Sequence, residues 1–200
     1  MPMADERSNQ ENVEATGANG EAGKEAPLSP LMQSVVDGIK AVLPEYEPIP
    51  RNDGWVELRV PREKWLEVAR TLRDDARLNF NYLSMVSAVD YMDKGFQVVY
   101  HLLDLMANRK LVVKVDAPER EDPWVPSVTS VWPTADFHER EAWDLMGVRF
   151  EGHPNLRRIL MREDWVGHPL RKDYVDERPP RERVTRETYY RLHASRREER

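Results

Sequence analysis

The chain has 200 residues, of which 40% are hydrophobic, and a formal net charge of −6. This length and apolar content suffice for one domain with a core, and the polar ends leave no material for a second. Because the chain contains no cysteine, it cannot form disulfides, and it lacks the thiolates that normally hold iron–sulfur clusters. Acidic and basic residues are interleaved, which argues against nucleic-acid binding and favours protein partners.

The N-terminal part, residues 1–28, has six acidic against two basic residues and almost nothing apolar. Such a segment cannot offset its ordering entropy by burial, so it is predicted to be a disordered acidic tail. It shows neither the order of a secretory signal nor the composition of a transit peptide. No apolar run approaches the roughly 18 residues that a membrane span needs. We therefore expect the chain on the cytoplasmic side of the membrane, outside the bilayer.

Apolar residues at the spacing of helices and strands begin after this tail. Ser29 as N-cap and Pro30 at the first helical position predict a helix whose apolar residues end before Pro44. Alternating residues 55–60 predict a half-buried strand, and Pro61 ends it and opens a second helix.

Three further strands are predicted over residues 80–89, 96–105 and 110–115, with connections short enough for antiparallel neighbours. Residues 116–126 contain three prolines and are predicted to be a loop, and residues 127–132 a short helix. The pattern indicates an α+β fold, a two-layer sandwich with one mixed or antiparallel sheet and helices mainly on one face. A helix-and-loop appendage follows.

The appendage is the most distinctive stretch, residues 136–174, and belongs to a single domain over residues 29–175. Asp136 is predicted to be the N-cap of its helix and Gly147 the left-handed residue that ends it. Arg140 and Asp144 stand four apart, so they are predicted to pair on one helical face.

Two similar phrases follow, each with Gly-His-Pro before a basic cluster, at residues 152–158 and 167–172. Each proline favours a bend at the preceding histidine. His153 and His168 are predicted to bond backbone groups, because no serine or cysteine nucleophile stands in a matching motif. The basic residues are expected to bind carboxylates of this chain, Glu139 and Asp144, or of a neighbour. They are Arg157, Arg158, Arg171 and Lys172.

The carboxylates Glu139, Glu141 and Asp144, with His138 and His153, could instead form a metal or acid–base site. The spacing does not favour it, since there is no HExxH and no Glu-x-x-His on a helix. Neither GxGxxG nor GxxxxGK[ST] occurs, so no nucleotide or flavin site is predicted. We therefore predict no catalytic, cofactor-binding or metal-binding residue in this chain.

The run from Glu139 to Tyr174 resembles the signature of the C subunit of the proton-pumping NADH-quinone oxidoreductase, respiratory complex I. It contains ERE-x-x-D-x-x-G-x-x-F-x-GHP-x-LRRIL followed by DW-x-GHPLRKDY. A looser similarity reaches back to about Leu31. Trp143, Met146 and Asn155 depart from the pattern but keep size or hydrogen-bonding character.

The resemblance implies a structural and assembly subunit of the hydrophilic arm, bound to the bacterial cell membrane only through the complex. Its partners would be chiefly the D subunit, and also the B and I subunits. That complex transfers electrons from NADH through FMN and iron–sulfur clusters to quinone and couples this to proton translocation, with those cofactors in other chains. The structural or interface residues would be Glu139, Arg140, Glu141, Asp144, His153, Arg157, Arg158, His168, Arg171 and Lys172.

Two other functions fit the residues. One is an equivalent scaffold subunit of a related membrane-bound hydrogenase or dehydrogenase complex, which only its partners would distinguish. The other is a stand-alone hydrolase that uses the three carboxylates, which would show turnover or bound metal in the isolated chain. The C-terminal part, residues 176–200, has eight arginines against six acids and is predicted to be a polar tail that could order against another subunit.

Overall fold

The structure is a computed structural model that describes residues 28–176. The two predicted tails therefore lie almost entirely outside the described residues. The helices are α1 Pro30–Val42, α2 Arg62–Asp74 and α3 Ala135–Met146. The strands are β1 Ile49–Pro50, β2 Val56–Arg59, β3 Tyr82–Asp90, β4 Phe96–Asp104, β5 Arg109–Ala117, β6 Trp124–Pro126 and β7 Arg149–Glu151.

The main sheet has five strands in the order β1-β2-β5-β4-β3. β2 and β5 run parallel, and the other neighbours are antiparallel. β6 and β7 pair in parallel as a separate two-stranded sheet. The mixed sheet of an α+β fold is thus confirmed, and the two tight hairpins β3–β4 and β4–β5 lie where the turn residues predict them.

One face of the main sheet carries the core. Val98, Tyr100 and Leu102 alternate along β4 and are fully buried against residues of all three helices. The opposite face has polar cross-strand contacts, such as Lys114 Nζ to Glu57 Oε2 at 2.7 Å. Alternation with period two therefore places the core on the helix-covered face, whereas the opposite face mixes polar side chains with the buried Val99 and Val112.

Local signals place the first two helices correctly. The Ser29 hydroxyl accepts the N–H of Met32 at 3.3 Å, with Pro30 as the first helical residue. Pro61 occupies the N-cap of α2. These starts depend on residues within a few positions, which is why spacing and capping predict them.

Two predictions for the segment between β5 and α3 are wrong. Residues 127–132 form a turn rather than a helix, and the predicted loop 116–126 ends in β6. The backbone there pairs with a distant strand, and the Ser127 N–H donates to the Glu151 carbonyl at 2.8 Å. Strands of three residues, such as β6 and β7, are too short to show a period in sequence.

The segment that leads into the predicted appendage, and the first part of the appendage itself, belong to the core. Trp132 is 2% exposed, and its indole N–H donates to the Phe80 carbonyl at 3.0 Å. Ala135 on α3 and Phe150 on β7 are also buried. Only the segment after β7 lies outside the sandwich, and we call residues 152–176 the coil. No helix in residues 28–176 has the length and apolar character needed to cross a membrane.

Gly95 closes the β3–β4 hairpin with φ +77°, and a Cβ there would lie 2.5 Å from the Pro118 carbonyl oxygen. We expect Gly95→Ala to lower the free energy of unfolding by about 3 kcal/mol, through backbone strain together with this clash. Gly54→Ala is the matched control, because Gly54 has φ +84° and open space around its Cα, so only about 1 kcal/mol of strain applies. Urea unfolding measures both, and equal losses would contradict the close contact.

Candidate functional site

Helix α3 carries polar residues on two opposite faces. Its inner stripe contains Ala135, Glu139, Ala142 and Met146, all buried. Gly147 ends the helix with φ 75° and ψ 17°, the left-handed conformation that was predicted. The predicted N-cap is wrong: Thr134 precedes the helix without a capping side-chain bond, and Asp136 lies within the first turn, where its negative charge favours the helix dipole.

Asp144, on the opposite side of α3 from the stripe, organises the coil. Its Oδ2 atom accepts the backbone N–H groups of Ile159 at 3.0 Å, Leu160 at 2.8 Å and Met161 at 2.8 Å. Its Oδ1 atom accepts from Arg158 Nη1 at 2.6 Å. The Asp144 side chain is fully buried. Burial alone would raise the pKa of this carboxyl, but these donors lower it below the ordinary value.

The arginine partners differ from those that helical spacing predicts. Asp144 pairs with Arg158 of the coil, not with Arg140 one turn away. Arg158 also donates to the Trp165 carbonyl at 2.9 Å. Arg140 donates to the carbonyls of Arg157 and Arg158, and its nearest carboxylate, Asp136, is 4.0 Å away. Both guanidinium groups therefore satisfy carbonyls of a segment without regular secondary structure.

The two histidines hold bends of the coil to α3. His153 Nε2 lies 3.2 Å from the Asp136 carbonyl, and His168 Nδ1 lies 3.0 Å from the Asp144 carbonyl. Since a carbonyl only accepts, each ring nitrogen donates. Burial lowers the pKa of His168, which favours the neutral ring. A Cβ at Gly147 would lie 2.6 Å from the His168 ring, so the helix end and the coil are in close contact.

A second cluster anchors the far end of the coil to the sheet. Asp90, at the end of β3, is 2% exposed and forms an ion pair with Arg120. It also accepts the Lys172 N–H at 2.9 Å. Arg120 in turn lies 2.7 Å from Asp173. Arg171 donates to the Arg120 carbonyl, so the coil is bound at both ends by buried or half-buried charges.

Glu139 forms neither a hydrogen bond nor an ion pair with residues of the coil. Its side chain points into the core, where it accepts the Val128 N–H at 2.8 Å and bonds Ser127 Oγ at 2.6 Å. The expected arginine partner is therefore absent: within residues 28–176 Glu139 forms no ion pair. Its position could have been found, because Ala135, Glu139 and Ala142 follow the four-then-three spacing of a buried helical stripe.

Three of the predicted site residues are exposed: Glu141, Arg157 and Lys172. Helix α3 and the coil also carry large apolar side chains that face solvent. Their exposed fractions are 62% for Phe137 on α3, and 60% for Leu160, 84% for Val166, 59% for Leu170 and 76% for Val175 on the coil. Apolar exposure on this scale, on a segment held by buried charges, is typical of an interaction surface.

The three carboxylates of the hydrolase hypothesis do not converge. Glu139 faces the core, Glu141 faces solvent and Asp144 binds the coil. In the part of the chain that the structure describes, no group of three His, Cys, Asp or Glu side chains could hold a metal ion.

Sequence reasoning missed the residues that complete these clusters, namely Asp90, Arg120, Ser127 and Asp173. Asp90 and Arg120 lie 30 residues apart and stand in no motif. Only the fold brings them together, so no spacing could have paired them. Asp173 lies inside the signature segment, but its partner Arg120 lies outside it.

The chain is thus a small α+β domain in which buried charges hold a surface coil in place. The family model described as respiratory-chain NADH dehydrogenase, 30 Kd subunit, matches residues 58–180, more than half of the chain. The chain belongs to this family.

Individual relatives support this assignment to the family. The C subunit of NADH-quinone oxidoreductase from Acidothermus cellulolyticus is 44% identical over 155 residues, 74% of this chain and 80% of that protein. The C subunit from Citrifermentans bemidjiense is 49% identical over 131 residues, 64% of this chain and 80% of that protein.

Solved structures share the fold. A trypsin-resistant fragment of Nqo5 has a TM-score of 0.52 and 33% identity, over 63% of this chain and 99% of the fragment. A chain of the archaeal membrane-bound sulfane sulfur reductase, a respiratory membrane complex, has a TM-score of 0.59 and 28% identity, over 72% of this chain and 85% of that chain.

Asp144→Asn tests the contact between α3 and the coil. The amide leaves Arg158 without its carboxylate and presents only one oxygen to the coil, so the free energy of unfolding should fall by about 3 kcal/mol. Asp164→Asn, in the same coil, is the control, because Asp164 and its partner Arg162 are 67% and 80% exposed. Urea unfolding should show no measurable change for the control. A wild-type midpoint in Asp144→Asn would contradict the role given to Asp144.

The anchor at Asp90 predicts a dependence on acid. Burial would raise the pKa of Asp90, but Arg120 and the N–H groups of Lys172 and Met92 lower it from 3.8 to about 2. The stabilisation is therefore present above pH 4 and is lost as the pH falls towards 2. Asp90→Asn should remove at most about 2 kcal/mol at neutral pH, and the gap to wild type should close below pH 4.

Urea unfolding at several pH values measures this gap. Asp122→Asn is the control, since Asp122 is 71% exposed in its pair with Arg149. A gap that stays constant down to pH 2 would show that ionised Asp90 does not stabilise the fold.

Proposed function

We propose that this chain is a structural and assembly subunit of the hydrophilic arm of NADH-quinone oxidoreductase, the complex that transfers electrons from NADH to quinone. The coil and the outer face of α3 would form its docking surface. The observation that carries the proposal is the set of exposed apolar side chains on a coil that buried charges hold rigid. Membership of the family indicates the complex in which this surface would dock.

Pre-ordering of the coil favours tight binding. A flexible segment would lose conformational entropy when it docks, whereas a fixed one has already lost it during folding. Here Asp144 holds residues 158–161 of the coil, and Asp90 holds Lys172 near its C-terminal end. Leu160, Val166 and Leu170 are thereby presented in a defined arrangement, and their burial at an interface would supply the hydrophobic driving force.

The charges around the apolar set suggest what the partner presents. Arg157 and Lys172 form no ion pair within the described residues, and both are exposed. We therefore propose that the partner places carboxylates opposite them, which would fix the orientation of docking more than its strength. By resemblance, the main partner would be the D subunit, with the B and I subunits close by.

The cofactors of the reaction would lie in other chains. This chain has no cysteine, and FMN and iron–sulfur clusters would belong to the neighbouring subunits. Its attachment to the cytoplasmic side of the membrane would then be indirect, through the assembled complex. A stand-alone hydrolase is disfavoured because Glu139, Glu141 and Asp144 point in three different directions.

A second candidate is the equivalent scaffold subunit of another membrane-bound respiratory complex. This second candidate is supported by the fold that the chain shares with a chain of the sulfane sulfur reductase, which is a different membrane-bound assembly. The chains that co-purify with this one separate the two. Flavin- and NADH-binding subunits support NADH-quinone oxidoreductase, and a nickel-binding subunit supports the alternative.

Val166→Asp tests the docking surface. Val166 is 84% exposed, so a charge there should leave the isolated chain folded, with an unchanged urea midpoint. In the complex the same charge would be buried without a partner, which costs several kcal/mol. We expect the tagged variant to lose co-purifying subunits and NADH:quinone reductase activity together.

The matched control is Met106→Asp, since Met106 is 87% exposed at the β4–β5 turn, outside the coil. It should co-purify with the same subunits as the wild-type chain. If Val166→Asp assembles as well as this control, the coil is not the docking surface.

A further inference from the structure

We propose that Glu139 is an internal proton-binding site, and that the proton it holds determines how firmly α3 is seated on the core. The site consists of the Glu139 carboxyl together with Ser127, Val128 and Thr129 of the turn that precedes α3. The proposal concerns the chain itself and is independent of the complex to which it belongs.

The Glu139 carboxyl is buried without a counter-ion. Glu139 is 0% exposed, and no lysine, arginine or histidine of residues 28–176 forms an ion pair with it. Removing a carboxylate from water without a cation is costly, so such groups bind a proton instead. Asp144 on the same helix is equally buried but has Arg158 and three N–H donors.

The hydrogen bonds around Glu139 fit either form of the carboxyl. When protonated, it donates to Ser127 Oγ at 2.6 Å, and the Ser127 hydroxyl turns to Thr129 Oγ1 at 3.0 Å. When ionised, it accepts from the Ser127 hydroxyl instead. The Val128 N–H donates to the other oxygen at 2.8 Å in both cases. A proton can therefore bind or leave without loss of a hydrogen bond to the carboxyl.

The surroundings favour the neutral form. Burial raises the pKa of Glu139 to about 7, although Ser127 and Val128 lower it, and the charge of Asp136 raises it further. Tyr100 of β4 faces it with a neutral hydroxyl, whose own pKa is raised by burial and by Glu139. From α2, Arg73 reaches the Val131 carbonyl of the same turn but pairs with Asp74.

The stability of the domain should then depend on this proton. The folded pKa lies above the ordinary value of 4.5, so the folded state holds the proton where the unfolded state has lost it. Stability should fall as the pH rises from 4.5 to 7 and stay low above that. The full difference corresponds to a roughly 300-fold change in the unfolding equilibrium constant. Because α3 also holds the coil through Asp144, loss of the proton from Glu139 would weaken the contact of α3 with the core and, through α3, the contact with the coil.

The direct test is a carbon-13 NMR titration of the full chain with labelled glutamate side chains. We expect one carboxyl resonance to titrate near pH 7 in the wild type and to be missing from Glu139→Gln. It should remain in Glu141→Gln, the matched control, because Glu141 is exposed on the same helix. Ser127→Ala should move this midpoint upward, because it removes a donor to the charged form.

Urea unfolding between pH 5 and 8 tests the coupling. In Glu139→Gln the new amide can still accept from Val128 and donate to Ser127 Oγ, so this variant should lose the fall in stability that the wild type and Glu141→Gln show. The proposal is overturned if no glutamate titrates above pH 6 in the wild type, or if the high resonance survives Glu139→Gln. Equal pH slopes in wild type and variant would overturn the coupling.

Discussion

A buried carboxylate that accepts three consecutive backbone N–H groups is the contact on which the outer surface of this domain depends. Residues 159–161 have no strand or helix to satisfy their amides, and Asp144 supplies the missing acceptor. Arg158 balances its charge and extends the network to the Trp165 and Gly167 carbonyls. Backbone groups that would otherwise need water are thus satisfied internally, which lets a segment without regular secondary structure stay fixed. Together with the anchor at Asp90, this acceptor holds the coil that carries the exposed apolar side chains.

Helix α3 shows two different ways to bury an acid. Asp144 keeps its charge because a guanidinium and several amides surround it, and its pKa lies below the ordinary value. Glu139, five residues earlier, has two donors and, within residues 28–176, no paired cation, and its pKa lies above the ordinary value. Burial raises the pKa of both carboxyls, but only at Asp144 do a guanidinium and three backbone amides outweigh it. Helix α3 therefore contacts the core through Glu139, whose surroundings favour the neutral carboxyl, and contacts the coil through Asp144, whose surroundings favour the charged carboxylate.

The sequence predicts what depends on neighbours along the chain. The α1 start at Ser29 and the left-handed Gly147 follow from capping chemistry, and the sheet follows from alternation. Contacts between residues far apart in the chain could not be predicted. Helical spacing predicts Arg140 as the partner of Asp144, whereas in the structure Asp144 binds Arg158 and three backbone amides. The motif drew attention to the helix that carries both buried acids. It could not show which acid faces inward, since Glu139 and Glu141 have the same chemistry and differ only in the direction they point.

The conformation of the coil depends on the C-terminal end of α3. His168 and Arg158 bind the carbonyl of Asp144, and His168 packs on Gly147. These acceptors have the right directions only when the last turn of the helix is complete. The coil can therefore take up this arrangement only when the last turn of α3 is formed. A chain in which this turn is incomplete does not present the exposed apolar side chains of the coil in the same positions.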